Sequence, residues 1–249
     1  MKEKIRLYYI LPLDSGLESW GEHTRQLMEA ITGPGVGITL VDLPGAPVKT
    51  IMSTYHSDLV TPLCIAEAIK AERDGYDAVG VGCLLEPGIT AMKEILDIPV
   101  VGDAEAAMHF ASFVGRRFTF LLPGSRAGRL LGSDTAAGIE DLARKYGFVQ
   151  KLASIRSVPA QSLDFASKRT GLPEAMLDQA QKAVEQDGAD SIISYPTMDI
   201  LCHLQENLQV PVIDPVQAFT MMAVSLVRLK VAQSKRAFPK PYEFRKDSE

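Results

Sequence analysis

Asp77-Ala78-Val79-Gly80-Val81-Gly82-Cys83-Leu84-Leu85-Glu86-Pro87-Gly88 runs from a short apolar, β-rich segment directly into a turn and a helix start. A continuous apolar run of this length, punctuated by glycine and proline, is the signature of a buried parallel strand feeding a helix. It leaves Cys83 at the strand's carboxyl end, aimed at a helix amino-terminus. The same layout returns in Asp190-Ser191-Ile192-Ile193-Ser194-Tyr195-Pro196-Thr197, where the position of a partner thiol holds Tyr or Pro. The flanks repeat as well. Gly75-Tyr76-Asp77-Ala78 precedes a strand, a loop, a helix and then Ile98-Pro99-Val100-Val101-Gly102-Asp103. Gly188-Ala189-Asp190-Ser191 precedes the same order, ending in Val210-Pro211-Val212-Ile213-Asp214-Pro215. Periodic self-similarity of this kind decides an architecture.

Outward from these segments, β-rich runs alternate with amphipathic stretches, predicting an α/β protein with strands near 5–11, 36–42, 78–82, 99–102, 118–122, 151–156, 191–194 and 211–214. Leu17, Trp20, Leu27, Met28 and Ile31 fall at helical spacing before Gly33-Pro34-Gly35. Cys64 lies in a second helix, Gly188 stops a third near 174–187, and a last helix near 216–233 leads into a charged tail expected to fray or to pack on a partner. The expected architecture is two pseudo-symmetric lobes, each a mainly parallel four-stranded sheet flanked by helices, with the active-site cleft between them. Residues 1–104 with 216–249 form the first lobe with the C-terminal helix and tail, and 105–215 the second. Right-handed crossovers place the strand-end loops of each lobe on one side, so Cys83 faces Ser194 to Thr197 across the cleft.

Composition narrows the partners. In 249 residues, 46% apolar and 23% charged, a net charge of −5 with both signs dispersed leaves no basic stripe. Nucleic acid and anionic membrane are therefore set aside in favour of a small molecule. No apolar run approaches spanning length, and the short N-terminus does not resemble a signal peptide, so a cytoplasmic location is expected. Three cysteines without CxxC spacing argue against a disulfide framework or a zinc site, and no histidine pair has metal-ligand spacing.

Gly82-Cys83-Leu84-Leu85-Glu86-Pro87-Gly88 and Ile98-Pro99-Val100-Val101-Gly102-Asp103-Ala104-Glu105-Ala106-Ala107 resemble the first catalytic motif of the aspartate/glutamate/hydantoin racemase superfamily and the strand after it. Arg156-Ser157-Val158-Pro159 and Val210-Pro211-Val212-Ile213-Asp214 are similar to that family's second-lobe strands, and the resemblance covers most of residues 5–220. Near the N-terminus, where the family carries an Asn-Pro-Asn-Thr-like loop, this chain has Leu11-Pro12-Leu13-Asp14-Ser15. The resemblance implies a cofactor-independent site between two lobes, a homo-oligomer, and a cysteine from each lobe flanking the substrate's acidic carbon.

Only one of those thiols is present. Racemisation by two bases needs a group on each face of the carbon. Cys202 lies five or six residues into its helix, roughly 8–9 Å from the mouth at about 1.5 Å rise per residue. Tyr195 is the candidate opposite Cys83, although a phenol of pKa about 10 needs strong tuning to act as a base. Cys83 itself, with a reference pKa of about 8.5, is expected to be favoured as thiolate by the helix start after Pro87. Cys83 and Tyr195 are thus the catalytic candidates. Pro12, Ser15, His56, Gly124, Ser125, Ser194, Pro196 and Thr197, from loops that open helices and from the Tyr55-His56-Ser57-Asp58 segment, are the substrate-binding candidates. Glu86 is expected to favour its own helix start. The expected activity is isomerase-like, using a single thiol for acid/base or nucleophilic chemistry on a small carboxylate or cyclic amide. A decarboxylase or cysteine hydrolase of the same fold, or a silent small-acid-binding protein, are the alternatives. The superfamily's decarboxylases keep the second-lobe cysteine and lack the first, the reverse of this chain.

Overall fold

A computed structural model describes residues 4–124, 133–166 and 170–244. The first sheet contains β1 (Ile5–Ile10), β2 (Val36–Val41), β3 (Ala78–Val81) and β4 (Val100–Gly102), and the second contains β5 (Phe118–Pro123), β6 (Leu152–Val158), β7 (Ser191–Ile193) and β8 (Val212–Ile213). Their orders, β2-β1-β3-β4 and β6-β5-β7-β8, are the same order repeated, and every pairing is parallel. The protein is therefore α/β with two matched lobes.

The repeat extends to single hydrogen bonds. Ahead of β3, the Asp77 carboxylate accepts from Arg6 N at 2.8 Å, and ahead of β7 the Asp190 carboxylate accepts from Arg117 N at 2.8 Å. Each Asp N–H in turn donates to the carbonyl of that same arginine. Gly75 and Gly188, two residues earlier in each copy, both take left-handed φ, near +79° and +70°. That conformation is open to glycine without a Cβ penalty, which explains the Gly-x-Asp spacing.

Helices α1 (Glu22–Glu29), α2 (Thr54–Arg73), α3 (Ile89–Ile95), α4 (Asp103–Val114), α5 (Ser133–Lys145), α6 (Ser162–Ala166), α7 (Leu172–Asp187), α8 (Met198–Asn207) and α9 (Pro215–Leu229) cover the sheets. On the outer face of the first sheet, α2 and α3 enclose a core that includes Tyr8, Val60, Cys64, Val79 and Met92. On the inner side, α9 packs on β1, β3 and β4, while α4, which follows β4, crosses to β7 and packs along α9. The approach of α9 is close: a Cβ on Gly80 would lie 2.2 Å from the buried Phe219 ring. No helix among the described residues is long and apolar enough to cross a membrane.

Two local expectations change. The helix read from Leu17 onward starts with a π-helical turn, Leu17–Gly21, before α1 takes over. Such widened turns recur at functional sites because they re-aim side chains. Part of the tail is held on its own chain. The Gln233 side chain bonds both N and O of Val100 on the edge strand β4, at 2.9 and 2.8 Å. Lys235 donates to the carbonyls of Lys93 and Glu94, and Lys240 pairs with Asp97 at 2.7 Å. The tail thereby satisfies an edge that would otherwise be left unpaired.

Candidate active site

Cys83 sits two residues beyond β3. Its N–H donates to Val81 O, and its carbonyl accepts from Glu86 N at 3.0 Å. Gly82 lets the Tyr9 ring come near, since a Cβ there would stand 2.9 Å from it. The loop closes with Glu86 at φ +54° and Gly88 at φ +77°, Gly88 being the residue that precedes α3. The expected thiolate is not what this loop favours. The Leu85 and Glu86 backbone donors do favour the anion, but burial, with Asp103 and Glu86 nearby, outweighs them and pushes the thiol up to about 12.

Asp103, the first residue of α4, is fully buried. Its Oδ2 accepts hydrogen bonds from Tyr9 at 2.5 Å and from Tyr195 across the lobe boundary. Its Oδ1 has no partner among the described residues. Burial raises this carboxyl well above its ordinary value despite the two phenols, and Asp214 and Glu86 add to the effect. Tyr9 and Tyr195 are raised in their turn by burial and by Asp103, so both phenols hold their protons.

Two further carboxyls are buried near this group. Asp214 caps α9 by accepting from Gln217 N at 2.8 Å and is pushed up to about 7 by burial. Glu86 does not serve its own helix. Its Oε1 accepts from Glu105 N, in the first turn of α4, at 2.7 Å, and its Oε2 accepts from Tyr146. Burial pushes Glu86 up to about 7.

The direction of these shifts bears on stability. A carboxyl whose pKa rises on folding is more protonated folded than unfolded, so its burial costs nothing below about pH 4 and increasingly more as pH climbs towards 7. Asp187, Asp178 and Glu67 shift the other way, and their gain is complete once pH passes the ordinary carboxylate range. The melting temperature is therefore expected to fall from pH 5 to pH 7.5, and a rise over that interval in calorimetric scans would contradict the assignment.

The cavity between the lobes measures about 120 Å³ and is lined by Cys83 and Tyr195 together with Pro12 and Pro196. Its remaining described wall is mainly apolar, with Trp20, Leu85, Leu121 and Phe165 prominent. The polar members are Tyr9, His23 and the hydroxyls of Thr24, Thr50, Thr135 and Ser162. Thr135 already donates to Met52 O. No described lysine or arginine contributes. Among the described residues, no three His, Cys, Asp or Glu side chains are grouped to hold a metal ion.

The other sequence candidates stand elsewhere. Ser15 opens the π-helical turn, its carbonyl accepting from Ser19 N. His56 lies in the first turn of α2 with Nδ1 3.0 Å from Oγ of the capping Ser53. Gly124 is buried with N–H bonded to Val158 O, and a Cβ there would meet Ser157 at 2.7 Å. Ser194 donates to Leu121 O, and Thr197 is the residue before α8. None of these five lines the cavity. Ser125 lies outside the described residues. Cys202 is exposed on α8, and Cys64 is buried in the outer core, where its thiol is pushed up to about 12.

Comparison with known proteins places the family. The family model described as Asp/Glu/Hydantoin racemase matches residues 18–223. The chain belongs to the Asp/Glu/hydantoin racemase family. It is 32% identical over 228 residues to a hydantoin racemase of Paenarthrobacter aurescens, covering 89% of this chain and 92% of that one. It is 33% identical over 188 residues to a hydantoin racemase of a Pseudomonas strain, covering 75% and 72%. The solved structure of an allantoin racemase from Klebsiella pneumoniae superposes with a TM-score of 0.83 at 27% identity, covering 96% of this chain and 95% of that one. The protein is thus a racemase-family, isomerase-like enzyme, and among the described residues its cavity is lined by the Cys83 thiol and by Tyr195, whose phenol is held by the buried Asp103.

Proposed function

We propose that this racemase-family enzyme exchanges the acidic α-proton of a small cyclic amide of the hydantoin type, with Cys83 as the only thiol at the reacting carbon. The observation that carries this is a cavity joining Cys83 to Tyr195 through walls that, His23 apart, are apolar or hydroxylic. A dicarboxylate entering there loses its hydration without meeting a described lysine or arginine, and an unpaired buried charge costs several kcal/mol or more. A cyclic amide is neutral and brings its own N–H and C=O, and the similarity to proteins named for hydantoin and allantoin supports the same class. A small carboxylate is correspondingly disfavoured.

In the chemical step the Cα–H bond breaks, the proton passes to the Cys83 thiolate, and the electron pair moves onto the adjacent carbonyl oxygen as an enolate. After the S–H hydrogen exchanges with solvent, its return to the same face gives exchange with retention, while slower protonation of the enolate by solvent from the opposite face, the thiol then losing its proton to solvent, gives the inverted enantiomer. Tyr195 already donates to Asp103, so its oxygen is left to accept a ring N–H and orient the ring. No cofactor enters this scheme.

The test is to follow one enantiomer of 5-benzylhydantoin in D₂O by NMR and polarimetry against a protein-free control. Deuterium should enter at C5 faster than rotation is lost. Incorporation no faster than the control sinks the proposal, and equal rates of incorporation and rotation loss refute its single-thiol part.

A further inference from the structure

We propose that Glu86 is a positioning residue that locks the Cys83 loop onto the first turn of α4 and so fixes the thiol against Tyr195; this rests on Cys83 being the reacting group. The locking is continuous in the structure. Glu86 N donates to Cys83 O at 3.0 Å, so the residue closes the tight turn that carries the thiol. Its carboxyl then reaches out of that turn to Glu105 N and to the Tyr146 hydroxyl. Gly102 makes the approach feasible, since a Cβ there would fall 2.2 Å from Glu86 Oε1. One residue on, Asp103 holds Tyr9 and Tyr195. Cys83 loop, Glu86, α4 turn, Asp103 and Tyr195 thus form one connected series across the lobes.

A turn of this shape has cheaper solutions. Glu86 adopts φ +54°, where glycine or asparagine is the ordinary occupant and other side chains are strained. It is also buried among like charges: Asp103 and Glu105 from α4 face it, offset by Lys93 from α3 and Lys145 from α5, with Tyr146 beyond α5. Lys93 is itself engaged with Glu105 at 2.6 Å. Around Cys83 the charged or titratable neighbours are Glu86, Asp103, Tyr195 and, from α2, Cys64. A carboxyl in a strained, buried position three residues from the thiol, with both oxygens bonded to other elements, fits a role in holding the site better than a role in closing the turn.

Two substitutions separate positioning from folding. Glu86→Gln keeps an acceptor for Glu105 N and removes the charge, while Glu86→Gly deletes the side chain and relieves the left-handed backbone. The first readout is the pH profile of iodoacetamide alkylation at Cys83, resolved by peptide mass spectrometry so that Cys202 does not interfere. It reads the thiol whether or not a cyclic amide is turned over. Glu86→Gln, by removing the nearby charge, should shift that profile to lower pH, giving about twofold or more faster alkylation at pH 8. The second readout is 5-benzylhydantoin exchange: Glu86→Gly should lower kcat about tenfold with KM within about twofold, and Glu86→Gln should recover most of the loss. Wild-type alkylation profiles in both folded variants would overturn the proposal, as would an unchanged kcat in Glu86→Gly. If the wild-type protein exchanges no cyclic amide, the alkylation profiles still decide the role of Glu86.

Discussion

Cys83→Ser is expected to lower α-proton exchange by about 10²–10⁴-fold, the range spanned by a positioned acid/base group. A hydroxyl has nearly the volume of the thiol, so the unfolding midpoint should move little, and the loss can be attributed to chemistry. The pH dependence of the wild-type enzyme gives a sharper form of the same expectation. With the thiol pushed up to about 12, thiolate is scarce at neutral pH and its fraction grows about tenfold per pH unit below that value. Wild-type kcat/KM should therefore climb steeply between pH 7 and pH 9, whereas the residual rate of Cys83→Ser should follow the protein-free control. Exchange that survives the substitution within threefold would mean that another group handles the proton, and Cys83 would lose its role as the acid/base residue.

The strands were legible because parallel, doubly covered strands must be apolar nearly throughout, and the Gly-x-Asp repeat could be read because it encodes a backbone conformation and a capping carboxylate. Cys83 was legible for the same reason, standing where a buried strand surfaces. Its ionisation was not. The sequence shows the helix that follows, and it hides the burial that, with Asp103 and Glu86 adding to it, reverses the sign of the effect. Tyr195 could be read from the repeat, but the bonds of the two phenols to Asp103 were hidden more deeply. Tyr9 and Tyr195 lie 94 and 92 positions from Asp103, and Tyr9 sits in a strand whose apolar pattern it does not disturb. His23 reaches the cavity wall next to the π-helical turn, which no 3.6-residue periodicity announces. Conversely, Ser15, Ser194 and Thr197 carry the residue types of an anion-binding loop, yet their surroundings use them in turns, in a buried hydrogen bond and at a helix start.

Asp103→Ala should be the most disruptive single change near the site. It removes the acceptor of two buried phenols, and a buried donor left unsatisfied costs about 1–3 kcal/mol, so about 2–6 kcal/mol is at stake in the urea unfolding free energy. One effect opposes this. The Asp103 carboxyl is raised well above its ordinary value, so keeping it buried costs more as pH rises, and deleting it removes that cost. The destabilisation should accordingly be largest near pH 5, where the carboxyl is protonated and costs least, and should shrink towards pH 8. Asp103→Asn keeps the shape and one acceptor oxygen without the ionisation, so it should lose less at pH 5 and flatten the decline of stability with pH. Removing the negative charge beside Cys83 should also ease ionisation of the thiol and move its alkylation profile to lower pH. An Asp103→Ala protein as stable as wild type at pH 5 would show that the phenols find other acceptors, and the Tyr9–Asp103–Tyr195 group would then lose its place as the support of the second-lobe wall.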